Sequence, residues 1–384
     1  MRLHTRRSLS PVPFVMGAIL GLAVVAGIYH YSPGFTLPIM AEPTATPLPS
    51  PTPLRAKPHL DEALRLESEG RLEEAISEYQ QAASAEPDLP DSYIGLAKIL
   101  TFRRQPGEAV AKARRATELA PGRADGYAVL AVASDWNEQP DQAIIYARRA
   151  IELDPKLAEA HAYLAEAYAD KQRLGDASDS LQRALALDPN SLQAVRVKGY
   201  LAEMQAHYPE AARVYSRALE LAPRQPYLYL LLGNALRAAG DFDGAIIKYQ
   251  QAAELDPKDP RGPYWIGYSY ATRENYKEAE EPLKAALAID QNYASALGQL
   301  GLVYYAEQRH TDAIPYLMRA TELEKPGPKL ATYRHVLGWS LYAEKRYTEA
   351  REQFAKALEL DPKLQGAKDG LEMVAKAEKE GTGR

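Results

Sequence analysis

The sequence predicts an all-α solenoid of nine helix-turn-helix repeats with a C-terminal capping helix, preceded by one transmembrane helix. Three observations carry this. Prolines recur every 34 residues at Pro87, Pro121, Pro155, Pro189, Pro223 and Pro257, and a fixed period of that length marks a repeat architecture. In the same frame two columns are alanine in every repeat. Position 20 is Ala75, Ala109, Ala143, Ala177, Ala211, Ala245, Ala279, Ala313 and Ala350; position 27 runs from Ala82 and Ala116 to Ala320 and Ala357. Ahead of the repeats, Pro11 to Tyr29 is an unbroken run of 19 apolar, glycine and proline residues, just enough to span a bilayer as a helix.

Residues 1–10 are a basic N-terminus and 11–31 the transmembrane signal-anchor helix. Arg2, Arg6 and Arg7 precede the run, and the first basic residue after its flank is Arg55. Positive charge stays cytoplasmic, so the N-terminus is expected inside and the remainder outside. The apolar run is longer than the core of a secretory signal. Cleavage near Val24-Val25-Ala26, with secretion of the remainder, is the alternative. Residues 32–55 form a Pro/Thr-rich extracytoplasmic linker. The stretch 42–58 holds six prolines, which favour extended polyproline II and bury nothing.

The repeats then occupy 56–89, 90–123, 124–157, 158–191, 192–225, 226–259, 260–293, 294–327 and 331–364. Three inserted residues fall at Pro326-Gly327-Pro328. Position 8 is always small, from Ala63 through Gly199 and Gly233 to Gly338. Small residues at 8 and 20 let two helices approach, alanine at 27 seats the second against the next repeat, and the proline at 32 stops it. A tight turn such as Gly240-Asp241 joins the pair. No repeat buries its apolar face alone, so stacking makes the core. Residues 365–384 are helix-prone and increasingly charged, as a cap requires. Pro282 and Pro315 lie inside second helices, and Gln291 and Lys325 replace the period proline, so 275–330 is expected to be the least regular stretch. Repeat one carries His59 and Glu62 where large apolar residues are usual, as suits a solvent-facing end.

This pattern resembles the tetratricopeptide repeat family. Repeat six shows it best: Tyr229, Leu232, Gly233, Leu236, Ala245, Tyr249, Ala252 and Pro257 stand at positions 4, 7, 8, 11, 20, 24, 27 and 32. The resemblance covers 56–364 and implies a right-handed superhelix whose first helices line a concave groove through positions 2, 5, 9 and 12. Carried over, these positions give an acidic end at Asp91, Asp125, Asp135, Glu159 and Glu166. They give an aromatic end at Tyr227, Arg261, Tyr264, Tyr268, Tyr305, His335, Trp339 and Tyr342, with Trp265 at its rim. Tyrosine and tryptophan supply large contact area at low entropic cost. The other reading of these rings is packing against neighbouring helices. The carboxylate clamp of chaperone-binding members is absent: Asn234 stands at position 9, but Leu230 is at position 5 and Trp265 at position 6 of the next repeat.

Composition excludes several functions. There is no cysteine among 384 residues, hence no disulfide, thiolate metal site or cysteine nucleophile. The seven histidines include no helical pair for zinc, and no phosphate-binding loop or nucleophile motif occurs. A net charge of −5 gives no pull toward nucleic acid. The chain is therefore expected to be a non-enzymatic scaffold without cofactor or metal. It would bind a protein or extended peptide, but no nucleic acid, outside the cytoplasmic membrane. A glycan-binding groove and an accessory subunit of an envelope enzyme complex are the alternatives. Gly17 and Gly21, four apart in the anchor, offer a homodimer contact.

Overall fold

The computed structural model describes residues 55–381, and the compact unit they belong to runs from Leu54. The expected anchor, its Gly17 and Gly21, and most of the linker lie outside the described residues. Among those described, no helix is long and apolar enough to cross a membrane.

The described residues form an all-α solenoid of nineteen helices. The first helices of the nine pairs are α1 (Lys57–Ser68), α3 (Pro90–Phe102), α5 (Ala124–Trp136), α7 (Ala158–Asp170) and α9 (Leu192–Met204), followed by α11 (Pro226–Ala238), α13 (Arg261–Thr272), α15 (Ala294–Ala306) and α17 (Pro328–Ala343). The second helices are α2 (Leu72–Ala85), α4 (Pro106–Leu119), α6 (Pro140–Leu153), α8 (Leu174–Leu187) and α10 (Tyr208–Leu221), then α12 (Phe242–Leu255), α14 (Tyr276–Ile289), α16 (His310–Leu323) and α18 (Tyr347–Leu360). The last helix is α19 (Gln365–Gly381).

Each first helix ends on a residue in the left-handed region. These are Gly70, Arg104, Glu138, Gln172, Ala206, Gly240, Glu274, Gln308 and Lys345. The Arg104 N–H donates to Thr101 O and the Gln105 N–H to Leu100 O, 3.0 and 2.9 Å, so the turn satisfies carbonyls the helix leaves open. Only two of these residues are glycine; the other seven accept a strain of about 1–2 kcal/mol each.

The helix pairs interlock through position 8. A Cβ added to Gly233 would lie 2.4 Å from the Tyr249 ring, and one on Gly199 2.5 Å from Tyr215. Where position 24 is alanine, as at Ala113 and Ala147, position 8 is alanine too, at Ala97 and Ala131. Phe354 is wedged between Gly338 and Gly370 of α19, whose Ala367 and Val374 are fully buried. The last helix thus covers the final repeat.

The stretch 275–330 is more regular than expected. Pro282 and Pro315 sit inside α14 and α16, which keep the same 14-residue length as their counterparts. Each proline frees the carbonyl one turn back, at Glu278 and Thr311. Both residues are exposed, so water can satisfy what the missing N–H does not. The change falls at the insertion instead: α17 starts at Pro328, three residues ahead of the expected repeat.

The stack also turns back on itself. The Arg103 guanidinium reaches Asp256 through two hydrogen bonds of 2.8 and 2.7 Å, across 153 residues. Arg261 Nη2 donates to the Phe102 carbonyl at 2.7 Å, and Phe102 stacks on Tyr227 with centroids 4.2 Å apart. Lys258–Glu73 and Lys325–Glu138 pairs run alongside.

The interlock has a direct test. Gly233→Ala should destabilise by about 1–3 kcal/mol through overpacking. Adding Tyr249→Leu should recover part of that loss, because repeat four already combines Ala165 with Leu181. Denaturant unfolding of the single and double variants checks it; an additive double loss would refute the interlock.

Candidate partner-binding groove

The inner surface is built by the first helices, but much of it is filled. Asp135 and Glu166 are each only 4% exposed, and Tyr227 and Tyr264 are buried as well. Burial removes Tyr227 and Tyr264 from the free groove surface and leaves Asp135 and Glu166 only as part of a cavity wall. Phe102 and Tyr227 close the space between repeats two and six. Tyr264 packs edge-on against Trp265 and Tyr293, at 4.9 and 5.2 Å.

The expected acidic end is neutralised by the protein's own arginines. Arg123 bridges Asp91, at 2.9 Å, and Asp125. Arg196 is fully buried and grips Glu166 with both terminal nitrogens, at 2.7 and 2.5 Å, while its Nε donates to Gln193 at 2.8 Å. Trp136 Nε1 donates to the same carboxylate at 3.0 Å. Burial alone would lower the pKa of Arg196; the Glu166 charge and hydrogen bonds reverse this, and it is raised. Glu159 stays half-buried.

Asp135 differs. Neither of its carboxyl oxygens has a hydrogen-bond partner. Burial first, then the charges of Glu166 and Asp170, push its pKa up to about 9, against a smaller opposing pull from Arg196. It lines an open cavity of about 600 Å³ together with Arg104, Trp136, Asp170, Arg196 and Tyr200.

At the C-terminal end, Tyr268, Tyr305, His335, Trp339 and Tyr342 are partly exposed. They fall into separate ring groups rather than one wall. Around α13, Trp265 and Tyr268 meet at 5.4 Å and share the Arg237 guanidinium, 5.1 Å from each ring. Around α17, Trp339 contacts Tyr342 and the buried Phe354. Its Nε1 donates to His335 Nε2 at 3.0 Å; burial lowers the His335 pKa, which keeps that nitrogen an acceptor. Tyr305 packs on His310 of its own repeat. Arg261, expected to face a ligand, instead ties Asp259 to the Phe102 carbonyl. Among the described residues no group of three or more metal-ligating side chains occurs.

Sequence reasoning missed Phe102, Trp136, Arg123 and Arg196. Arg196 stands at position 5 of repeat five, one repeat beyond the acidic end, and the groove position itself was the available signal. Phe102 and Trp136 occupy position 13, one residue past those carried over.

Two outcomes follow. Arg196→Met should cost about 3–5 kcal/mol, since it strands a buried carboxylate, whereas Arg196→Met with Glu166→Leu should cost much less; chemical unfolding distinguishes them. Asp135 binds its proton more tightly folded than unfolded, so the native state loses stability as pH rises from about 4, the unfolded value, toward about 9. Asp135→Asn should abolish that decline, worth on the order of a few kcal/mol. Parallel melting curves across this pH range would refute it.

Family models described as Tetratricopeptide repeat match residues 60–124, 158–191, 196–260, 249–294 and 292–363. No curated protein sequence matches the chain. Among solved structures, the crystal structure of the APC/C hetero-tetramer Cut9-Hcn1 is similar over 83% of this chain at 16% identity, with a TM-score of 0.64. This chain spans 63% of that one, less than two thirds of its length. The human IFIT1 dimer with PPP-AAAA is similar over 83% of this chain and 81% of its own, at 16% identity and TM-score 0.58. Likeness at this identity shows the fold. The repeat matches together span more than half of the sequence, and the chain belongs to the tetratricopeptide repeat family.

Proposed function

We propose that the protein is a non-catalytic scaffold, held outside the cytoplasmic membrane by an uncleaved helix at 11–31, that binds a protein or extended peptide. Tetratricopeptide repeat proteins in general bind protein partners, which supports the class. The observation that carries the site is the set of partly exposed rings Tyr268, Tyr305, Trp339 and Tyr342 on α13, α15 and α17. They pack against the core yet stay partly exposed, as an anchoring hot spot requires. The arginine asymmetry around the apolar run supports the placement, and Gly17 and Gly21 support a dimer through the anchor. Nucleic acid fits poorly, since the cavity lining holds Asp135, Glu138, Glu166, Asp170 and Glu203 against Arg104 and Arg196.

Tyr305→Ala and Tyr342→Ala, each crosslinked in intact membranes, test this reading. Capture of the partner should fall by about 2 kcal/mol of binding or more, with stability changed by less than about 1 kcal/mol. A stability loss of about 3–5 kcal/mol with unchanged capture would move the rings into the core. Protease added to spheroplasts should digest the repeats, and full protection would overturn the placement.

A further inference from the structure

The cavity between α5, α7 and α9 has a chemistry of its own. Its floor is Asp135, 4% exposed, whose two carboxyl oxygens have no hydrogen-bond partner. Trp136 and Tyr200 stand beside it, and the exposed Asp170 and Arg104 mark its mouth. Every other carboxylate lining the cavity is engaged, Glu138 by Lys325. Glu166 is held by Arg196 and Trp136, Asp170 accepts from the Tyr200 hydroxyl, and Glu203 accepts from the Tyr215 hydroxyl at 2.7 Å.

We propose that this cavity is a binding site for a primary alkylammonium group, with Asp135 as its counter-ion and the Trp136 and Tyr200 rings flanking the alkyl chain. A buried polar group without a partner is costly, and an ammonium supplies three donors to a side chain that accepts none at present. Aromatic rings favour a cation and its aliphatic stem. The arginines already present do not fill this role. Arg196 is spent on Glu166, and Arg104 lies over the Trp136 ring, 4.3 Å from its centroid, with Arg196 farther off at 5.7 Å. The groups facing Asp135 are Glu166 and Asp170 from α7, with Arg196 from α9. Over the whole lining Glu138, Glu166, Asp170 and Glu203 outnumber Arg104 and Arg196, so an entering cation meets a net negative wall. Burial and these charges hold Asp135 protonated when the site is empty. Ammonium binding therefore ionises Asp135 and releases one proton to the buffer near neutral pH.

The same group comes either from a lysine of a bound peptide or from a free diamine. The peptide source rests on the scaffold reading; the cavity itself does not. Titration calorimetry of the full chain in detergent uses three probes: putrescine, an alanine-flanked lysine peptide and the same peptide with acetyl-lysine. The lysine peptide should bind at least tenfold more tightly than its acetylated form. Its apparent enthalpy should change between buffers of different ionisation enthalpy in proportion to one proton released. Asp135→Asn, which keeps shape and removes the charge, should weaken binding tenfold or more while its melting temperature at neutral pH is no lower than the parent's, as the pH dependence above requires. Binding of putrescine alone assigns the site to free diamines and leaves the peptide scaffold to be judged by the Tyr305 and Tyr342 variants. Equal binding of lysine and acetyl-lysine peptides, or unchanged binding by Asp135→Asn, overturns the proposal.

Discussion

The structure depends on how closely the two helices of each repeat approach. All nine alanines at position 20 are fully buried, and those at position 27 are at most 3% exposed. No larger side chain fits where two backbones are pressed together, so these columns are set by sterics. The space left over is filled by position 24, which ranges from Ala113 and Ala147 to Tyr215, Tyr249 and Phe354. Position 8 shrinks to glycine beneath those three rings. Close pairing also leaves few residues for the turn, and every first helix ends in the left-handed region even where the residue is not glycine. Packing, rather than local preference, holds Ala206 and Glu138 in that conformation.

Regular stacking then decides which inner side chains meet. One repeat onward and one helical turn back is 30 residues, and that separation recurs among the contacts. Trp136 donates to Glu166, Glu166 receives Arg196, and Tyr200 donates to Asp170, each 30 residues apart. The outer pairs Lys171–Asp141 and Arg273–Asp243 follow the same step. Groove charge is therefore a ladder between successive repeats. Counting acids within repeats two to four gave an acidic end; following Glu166 30 residues onward finds Arg196, and Asp91 and Asp125 share Arg123. Asp135 finds no such donor: its carboxyl oxygens are unpartnered, and Glu166 and Asp170 near it carry the same sign.

The helix pairs and their small columns were legible because each reflects a contact within about 34 residues, repeated nine times, and the single capping helix because it directly follows the last pair. Repetition makes such a signal stand out of a single sequence. The contacts that fill the groove have no such redundancy. Arg103–Asp256 and Phe102–Tyr227 each occur once and join residues more than 120 apart, so nothing in the period announces them. The interior prolines were misread for the opposite reason. Propensity describes an isolated helix, whereas Pro282 and Pro315 sit in helices held on both sides by neighbours, with the freed carbonyls on exposed residues.

Closure interrupts the accessible inner surface. The arginine pairs at Arg103 and Arg261, with Phe102 on Tyr227, seal repeats two, six and seven against one another. Arg103 and Asp256 are 9% and 4% exposed, so the seal is desolvated, and an unpaired partner left there would be destabilising. A ligand cannot thread the whole inner face without breaking that seal. Among the surfaces that stay open are the cavity framed by α5, α7 and α9 on one side, and the partly exposed rings of α13, α15 and α17 on the other. The first offers a buried acid and the second apolar edges, so the two surfaces suit different features of a partner. An extended chain that reached both would have to pass around Phe102 and Tyr227 rather than between them.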